Sequence, residues 1–417
     1  MHDVIVIGGG PAGSTAATLL AREGFRVALF ERECFPRFQI GESLLPYAND
    51  VFERLGVSEK LLDAGFFPKY GGAFVTADGS ASKVFRFSEN LEPPYRRSFQ
   101  VERSRFDQIL LDHSRENGVE VHEGTAIARV DLSDKSRAAV ETTKGERHEG
   151  RFVIDCSGHG ALLAHATGCR VSVESLKKTA IFSHYRNVRM GEGPDRYNTV
   201  VVVLRDGWFW MIPLAEDKMS VGLVIDRKTV IESGLTPEEL LARTIAMTPY
   251  VAELMKDAEQ TMEVRQRKDF SYRVSTLAGE NFAVSGDAAG FLDPIFSTGV
   301  LIAMISSSRL ADAVAEKLRT GSMRGLLRYQ QKTQTAIDRY LRFIENFYRR
   351  PFMEMLLHPD PPRTMFMAIV RLLGGNVFSS RFDRMMLAIF FSLVRLQDRF
   401  GFAPRIEWSA LPGAAGM

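Results

Sequence analysis

Apolar and polar positions along this chain switch between a period of two and a period near 3.6, and the switch points mark its elements. Val4-Ile5-Val6-Ile7 is a short apolar run ending on Gly8-Gly9-Gly10, and alanine and leucine then recur at helical spacing from Pro11. A second apolar run, Arg26 to Phe30, closes on Glu31. Strand, helix and strand are predicted there. A short buried strand running into a turn of small residues recurs at Phe152 to Gly158 and at Asn281 to Gly290, with a helix starting near Thr298. The middle of the chain differs: Thr199 to Leu204, Phe209 to Leu214 and Met219 to Ile225 are apolar runs separated by Asp206-Gly207 and Glu216-Asp217, which predicts an antiparallel meander. From Thr298 onward the period is helical. A long amphipathic stretch near Met323 to Tyr348 precedes Pro351 and the cluster Pro359-Asp360-Pro361-Pro362, and two more helices reach about Arg399. Met385 to Val394 is expected to be a buried helix.

Length and composition narrow the class. At roughly 150 residues per domain, 417 residues make two or three domains. With 45% hydrophobic and 25% charged residues, disorder, collagen and coiled coil are excluded. The 53 basic and 51 acidic residues leave +2, without a dense basic run, so nucleic acid is not an expected partner. Arginines outnumber acids only from Arg339 onward, a basic rim suited to an acidic partner. Cys34, Cys156 and Cys169 are too few, and odd in number, for a disulfide framework, which suits the cytoplasm. Val4 to Ile7 is too short for a secretion signal, and Met385 to Val394 covers only about half of a membrane span. No metal site is expected.

The first strand, helix and strand carry a dinucleotide fingerprint. Gly8 permits the tight turn, Gly10 a close backbone approach to a pyrophosphate, and Gly13 close packing of helix on strand, while free N–H groups at the helix start hold negative charge. Ala12 and Arg32 flank these positions, and Glu31 is placed to accept hydrogen bonds from ribose hydroxyls. The fingerprint serves FAD and NAD alike. The segments around Asp155 and Asp287 resemble the turns of the FAD-dependent monooxygenase superfamily. That resemblance implies that Gly286 and Asp287 meet the flavin, with the Asp287 carboxylate on its ribitol chain; taken alone, Asp287 also reads as a helix cap.

Three more segments sharpen the resemblance. Gly207-Trp208-Phe209-Trp210-Met211-Ile212-Pro213 contains Trp-x-Trp-x-Ile-Pro, and Phe291-Leu292-Asp293-Pro294-Ile295-Phe296-Ser297-Thr298-Gly299 contains Phe-x-x-Pro-x-x-Ser-x-Gly. Phe66-Phe67-Pro68-Lys69-Tyr70-Gly71-Gly72 follows Gly41-Glu42-Ser43-Leu44. Over roughly residues 1 to 340 the chain thus resembles the flavin-dependent halogenases. The resemblance implies that FAD, reduced by a separate flavin reductase, turns chloride or bromide into hypohalous acid. Lys69 then directs the halogen onto an aromatic ring while Trp208 and Trp210 wall the passage, and Ser297, Thr298 and Gly299 hold the halide beside the flavin. Arg37, Glu42, Ser43, Arg103, Ala126, Pro294 and Val300 are the further cofactor contacts it implies. A surface salt bridge is the plain alternative for the two arginines. Phe296 stands where tryptophan-specific members carry glutamate, and their long insertions are missing. Both features resemble the members that halogenate phenols and pyrroles, several on substrates tethered to a carrier protein. His184 and Glu102 are the groups that would assist a phenol's deprotonation. The same neighbours, Phe66, Phe67 and Pro68, would desolvate the Lys69 amine and lower its pKa.

The expected fold is α/β, α+β overall. A Rossmann-like FAD-binding domain spans residues 1–178, with a small substrate-side insertion at about 66–100, and resumes at 271–338; an antiparallel-sheet substrate domain occupies 179–270 and a C-terminal helical region 339–417. Two other functions fit the same fold. One is a monooxygenase or geranylgeranyl-reductase-like oxidoreductase. The other is a non-catalytic flavin-binding interaction protein whose docking face is Phe343, Phe347, Tyr348, Arg349, Arg350 and Phe352.

Overall fold

The computed structural model describes residues 1–268, 271–377 and 380–406. Strand β1 (His2–Ile7) leads into helix α1 (Pro11–Arg22), and strand β2 (Val27–Phe30) returns parallel to β1. On its other side β1 pairs in parallel with Arg147–Asp155, which pairs in turn with Phe282–Val284. The three strand-and-turn segments predicted from the sequence therefore lie side by side, in a sheet of seven strands. Helix α2 (Arg103–Glu116) packs on α1. Two glycines decide how tightly this unit closes: a Cβ at Gly13 would sit 1.8 Å from the Gly8 carbonyl oxygen, and Gly8 itself has φ 102°. No other residue allows that approach.

A second sheet of eight strands faces the first. The predicted meander is its centre. Strands β3 (Phe67–Lys69), β4 (Gly71–Thr76) and β5 (Ser98–Gln100) come first in the chain, followed by β6 (Lys178–Arg186), β7 (Thr199–Val203), β8 (Gly207–Ala215) and β9 (Lys218–Asp226). β6, β9, β8 and β7 are antiparallel neighbours in that order, and β7 continues in parallel to β4. The segment expected as a small insertion at 66–100 thus supplies an integral strand of this sheet, while β3 and β5 form a separate antiparallel pair. Nor is 179–270 all sheet: Arg227–Ser233, Pro237–Met247 and Pro249–Leu254 are helices, the second opened by a capping box on Thr236 and Glu239.

Helix α3 (Thr298–Thr320) packs along α1, and α4 (Arg324–Phe347) packs against α3. Among the described residues α3 is the one helix long and apolar enough to cross a membrane, and 72% of that stretch is buried within the protein. α4 runs unbroken through the boundary expected at 338/339. Helices α5 (Arg350–Leu356), α6 (Arg363–Leu373) and α7 (Arg381–Phe400) complete the layer. Phe343, Phe347 and Phe352 are fully buried and stack edge to face, Arg349 pairs with Asp398, and Arg350 with Glu354. The expected docking face is therefore core, because aromatics at helical spacing found an apolar partner surface first. The opposite correction applies to α7. Phe390, Phe391 and Val394 are buried, but Met385, Ile389 and Leu396 are exposed on its outer side, so this helix is half-buried.

Candidate active site

A cavity of about 580 Å³ opens where the two sheets and the start of α3 meet. Gly8, Gly10, Ala12, Glu31, Arg32 and Ala126 line its first-strand end, and Arg37, Glu42, Ser43 and Arg103 one long wall. Asp287, Pro294, Ser297, Gly299 and Val300 close the opposite wall under Trp208 and Trp210. Three of the predicted cofactor and halide residues stand behind that lining. Gly13 supports the fingerprint turn, Gly286 packs so closely that a Cβ there would meet the Ala12 Cβ at 2.8 Å, and Thr298 is buried in the first turn of α3.

At the fingerprint end, Glu31 accepts hydrogen bonds from the Gly9 N–H at 2.6 Å and the Glu33 N–H at 3.0 Å, so the carboxylate also shapes the glycine turn. A carboxylate has about four acceptor positions, which leaves room for ribose hydroxyls. Arg37 and Arg103 are no surface pair. Arg103 is bidentate to the buried Asp107 at 2.8 and 2.9 Å and donates to the Ile40 carbonyl at 2.7 Å; Arg37 donates to the same Asp107 at 2.9 Å. Two guanidinium groups on one carboxylate leave a net positive charge at the cavity wall. Free N–H groups at the start of α1, that charge, and glycines with no Cβ in the way fit a dinucleotide diphosphate.

Next along the same wall, Glu42 is 1% exposed and accepts from His184 Nε2 at 2.7 Å, while its other oxygen has no partner. An orphaned buried carboxylate oxygen beside a cavity calls for a donor there, and the hydroxyls and N–H of a flavin supply several. Asp287 lies across the cavity, 3.7 Å from His159, whose burial pulls its pKa below the ordinary histidine range. Glu102, by contrast, pairs with Lys218 at 2.7 Å and is half-buried, outside the lining of the cavity. Sequence reasoning named both Glu42 and His184 without joining them, since the pair closes across 142 residues.

Trp208 and Trp210 share one face of β8, their ring centroids 5.9 Å apart. Each indole N–H is held: Trp210 donates to Ser220 at 3.0 Å, and Trp208 to the Tyr348 hydroxyl at 2.9 Å. Tyr348 in turn donates at 2.7 Å to Asp293, whose carboxyl burial pushes up to about 6. Tyr348 belongs to the helical layer that matched no motif, so the link was invisible in the sequence. Opposite Trp210, β9 carries Gly222; a Cβ there would lie 2.2 Å from the indole ring. The turn that starts α3 is also specific. Pro294–Phe296 make one tight turn, and Ser297 follows with φ 56°, in the left-handed region. That kink carries Ser297 and Gly299 to the cavity.

Lys69 stands on β3 opposite Ser98, 3% exposed, with its Nζ donating to Ser43 at 2.8 Å and 5.8 Å from the Phe87 ring centroid. Burial alone lowers its pKa to about 7. It lines a second, small cavity of about 30 Å³ that shares Thr199, Val201, Ile295 and Ser297 with the large one. A desolvated amine thus sits on the far side of a wall that both cavities share.

Comparison with known proteins agrees with this geometry. The family described as tryptophan halogenase matches residues 3–95 and 78–352. The chain belongs to that family. It is 31% identical over 408 residues to the 1H-pyrrole-2-carbonyl-[peptidyl-carrier protein] chlorinase of Pseudomonas fluorescens, covering 91% of this chain and 90% of the relative. With the tryptophan 2-halogenase of Chondromyces crocatus it shares 34% identity, over 83% of this chain and 67% of that protein. The flavin-dependent brominase Bmp2 superposes with a TM-score of 0.84 at 28% identity, covering 95% of this chain and 99% of that one. As a member of the family the chain is a flavin-dependent oxidoreductase, a halogenase.

Proposed function

We propose that this enzyme halogenates an electron-rich pyrrole- or phenol-like ring, carried on an acidic carrier protein, with Lys69 delivering the halogen. The observation that carries the reading is the shared wall: a buried, desolvated lysine in its own small cavity, adjoining through Ser297 and Thr199 a cavity fitted for FAD. A bound reduced flavin would supply two electrons and be left as oxidised FAD, while oxygen, halide and protons give hypohalous acid and water. The residues do the rest. Ser297, Thr298 and Gly299 hold the halide at the N-terminus of α3. Trp208 and Trp210 keep the ring away from the flavin, and Lys69 hydrogen-bonds the hypohalous acid. Its halogen replaces a ring hydrogen and its oxygen leaves as water. Arg37 and Arg103 hold the diphosphate, Glu31 the ribose, and Asp287 the ribitol chain.

A pyrrole-type substrate is favoured because the carrier-dependent pyrrole chlorinase is matched along nearly its whole length, whereas the tryptophan enzyme is matched over 67% of its own. Phe296 in place of an acid points the same way. The cytoplasm is the compartment we propose, on the strength of three unpaired cysteines, and a separate reductase is the source of reduced flavin. The test is incubation with a flavin reductase, NADH, bromide and pyrrole-2-carbonyl loaded on a carrier protein. Bromine's isotope pattern on the carrier-bound ring is the expected result. Bleaching of the bound flavin by NAD(P)H alone, with no halogen incorporated, would favour the reductase-type reading instead.

A further inference from the structure

Lys69 is held from behind by Ser43 and, through it, by Thr199 and Gln100, two polar side chains that no motif of the sequence singles out. Its Nζ donates to Ser43 Oγ at 2.8 Å; Ser43 Oγ lies 2.9 Å from Thr199 Oγ1; and Gln100 Nε2 donates to Thr199 Oγ1 at 2.8 Å. All four are buried, with Gln100 at 0%. They come from separate segments: Ser43 forms a bridge beside Gln100, which lies on β5 next to the strand of Lys69, and Thr199 opens β7.

We propose that Gln100 and Thr199 are positioning residues for Lys69, the fixed end of a buried hydrogen-bond relay that acts through Ser43. The proposal rests on the reading of Lys69 given above and adds how its amine is aimed. Stability gives no reason for such a cluster. Gln100 Oε1, Ser98 Oγ and Asn198 Oδ1 are buried beside it without any partner, a costly arrangement that an apolar set of the same shape would avoid. The direction of the relay can be read. Gln100 Nε2 also faces the Tyr197 carbonyl at 3.4 Å, so the amide nitrogen and not its oxygen must point this way. Thr199 then accepts from Gln100 and turns its own hydrogen to Ser43. Ser43 oxygen, with two lone pairs, accepts that hydrogen and the one from Lys69. Against the neutral amine the Ser43 hydroxyl can rotate and donate instead, so Lys69 keeps its place in either charge state. The relay ends on an amide, which has no proton to give; it positions and does not conduct. The other N–H groups of Lys69 are left for the small cavity that it lines with Ser297.

The test is the double variant Thr199→Val/Gln100→Leu, as full chain loaded with FAD, with a flavin reductase, NADH, bromide and S-(pyrrole-2-carbonyl)pantetheine as acceptor. A free β-diketone in solution traps escaping hypobromous acid. We expect brominated pyrrole per oxygen consumed to fall about five-fold, roughly what one lost hydrogen bond is worth, and diketone bromination to rise. The Tm should stay the same or increase, and Thr199→Ser should behave as wild type. An unchanged product ratio, or a loss that comes with a lowered Tm, overturns the relay. If the wild type brominates neither acceptor nor diketone, the halogenation reading is what fails. The relay is then judged by reductive methylation of Lys69 with formaldehyde and borohydride, followed by peptide mass spectrometry: faster labelling in the double variant supports it, and equal rates refute it.

Discussion

Lys69 shows at the scale of one residue how a fold tolerates a buried amine. Its amine has been moved from water to an apolar pocket, which lowers the pKa from 10.5 to about 7. The unfolded chain keeps a proton on Lys69 up to the ordinary lysine range, whereas the folded chain releases it near 7, so between those values the unfolded state binds more protons. Stability must then rise with pH across that window. Replacing Lys69 by Met removes the penalty and its slope: we expect the variant to gain stability most at pH 7 and below, and least near pH 10. Urea midpoints measured at both ends check this, and a constant gain at the two pH values would refute the assigned shift. Lys69 was legible through the resemblance to the halogenases, with which the two phenylalanines and the proline before it agree. The side chains behind it were not read as its partners, since Ser43, named only as a cofactor contact, meets Lys69 through tertiary structure, as do Thr199 and Gln100 behind Ser43. Glu31 was legible too, although its grip on the Gly9 N–H was not, because a backbone contact across a turn leaves no compositional trace.

Among the elements, strand β8 and helix α4 carry the clearest consequences. Trp210 packs against Gly222 on the neighbouring strand, where no Cβ fits. Gly222→Ala should displace the indole and cost about 1–3 kcal/mol, with less halogenated product at the same FAD occupancy. An alanine variant as stable and active as wild type would show that Trp210 moves freely. The end of α4 gives the second case. Tyr348→Phe leaves the Trp208 N–H without its acceptor and Asp293 Oδ2 without its donor, while the Ile295 N–H still serves Oδ1, a change worth about 1–3 kcal/mol in a denaturant midpoint, together with a shift in tryptophan emission. Periodicity located the meander and α4 well, since alternating and helical patterns are both local. It failed where context decided: the outer side of α7 is apolar and exposed, and a strand from residues 71–76 joined a sheet whose other central members lie more than a hundred residues on.

At the scale of the whole molecule, two sheets and a helical layer enclose one large cavity, and a smaller one shares its wall. The arrangement gives each part a separate task. Glycine turns after the first sheet's strands line the large cavity together with Arg37 from a loop and Arg103 from the start of α2, the second sheet lines it with tryptophans, and the start of α3 stands between them. Lys69 lies behind the partition, and in the proposed reaction an oxidant formed beside the flavin meets this amine before the ring. The helical layer braces the partition from outside, through Tyr348 on Trp208 and Phe343 and Phe347 on Phe296. This central claim is tested most directly by mass spectrometry of the carrier-bound pyrrole after reaction with reduced FAD, oxygen and bromide, for wild type and Lys69→Ala side by side. The account predicts a brominated ring from the wild type, and from Lys69→Ala an unmodified ring while oxygen is still consumed. Equal bromination by the two proteins would contradict it.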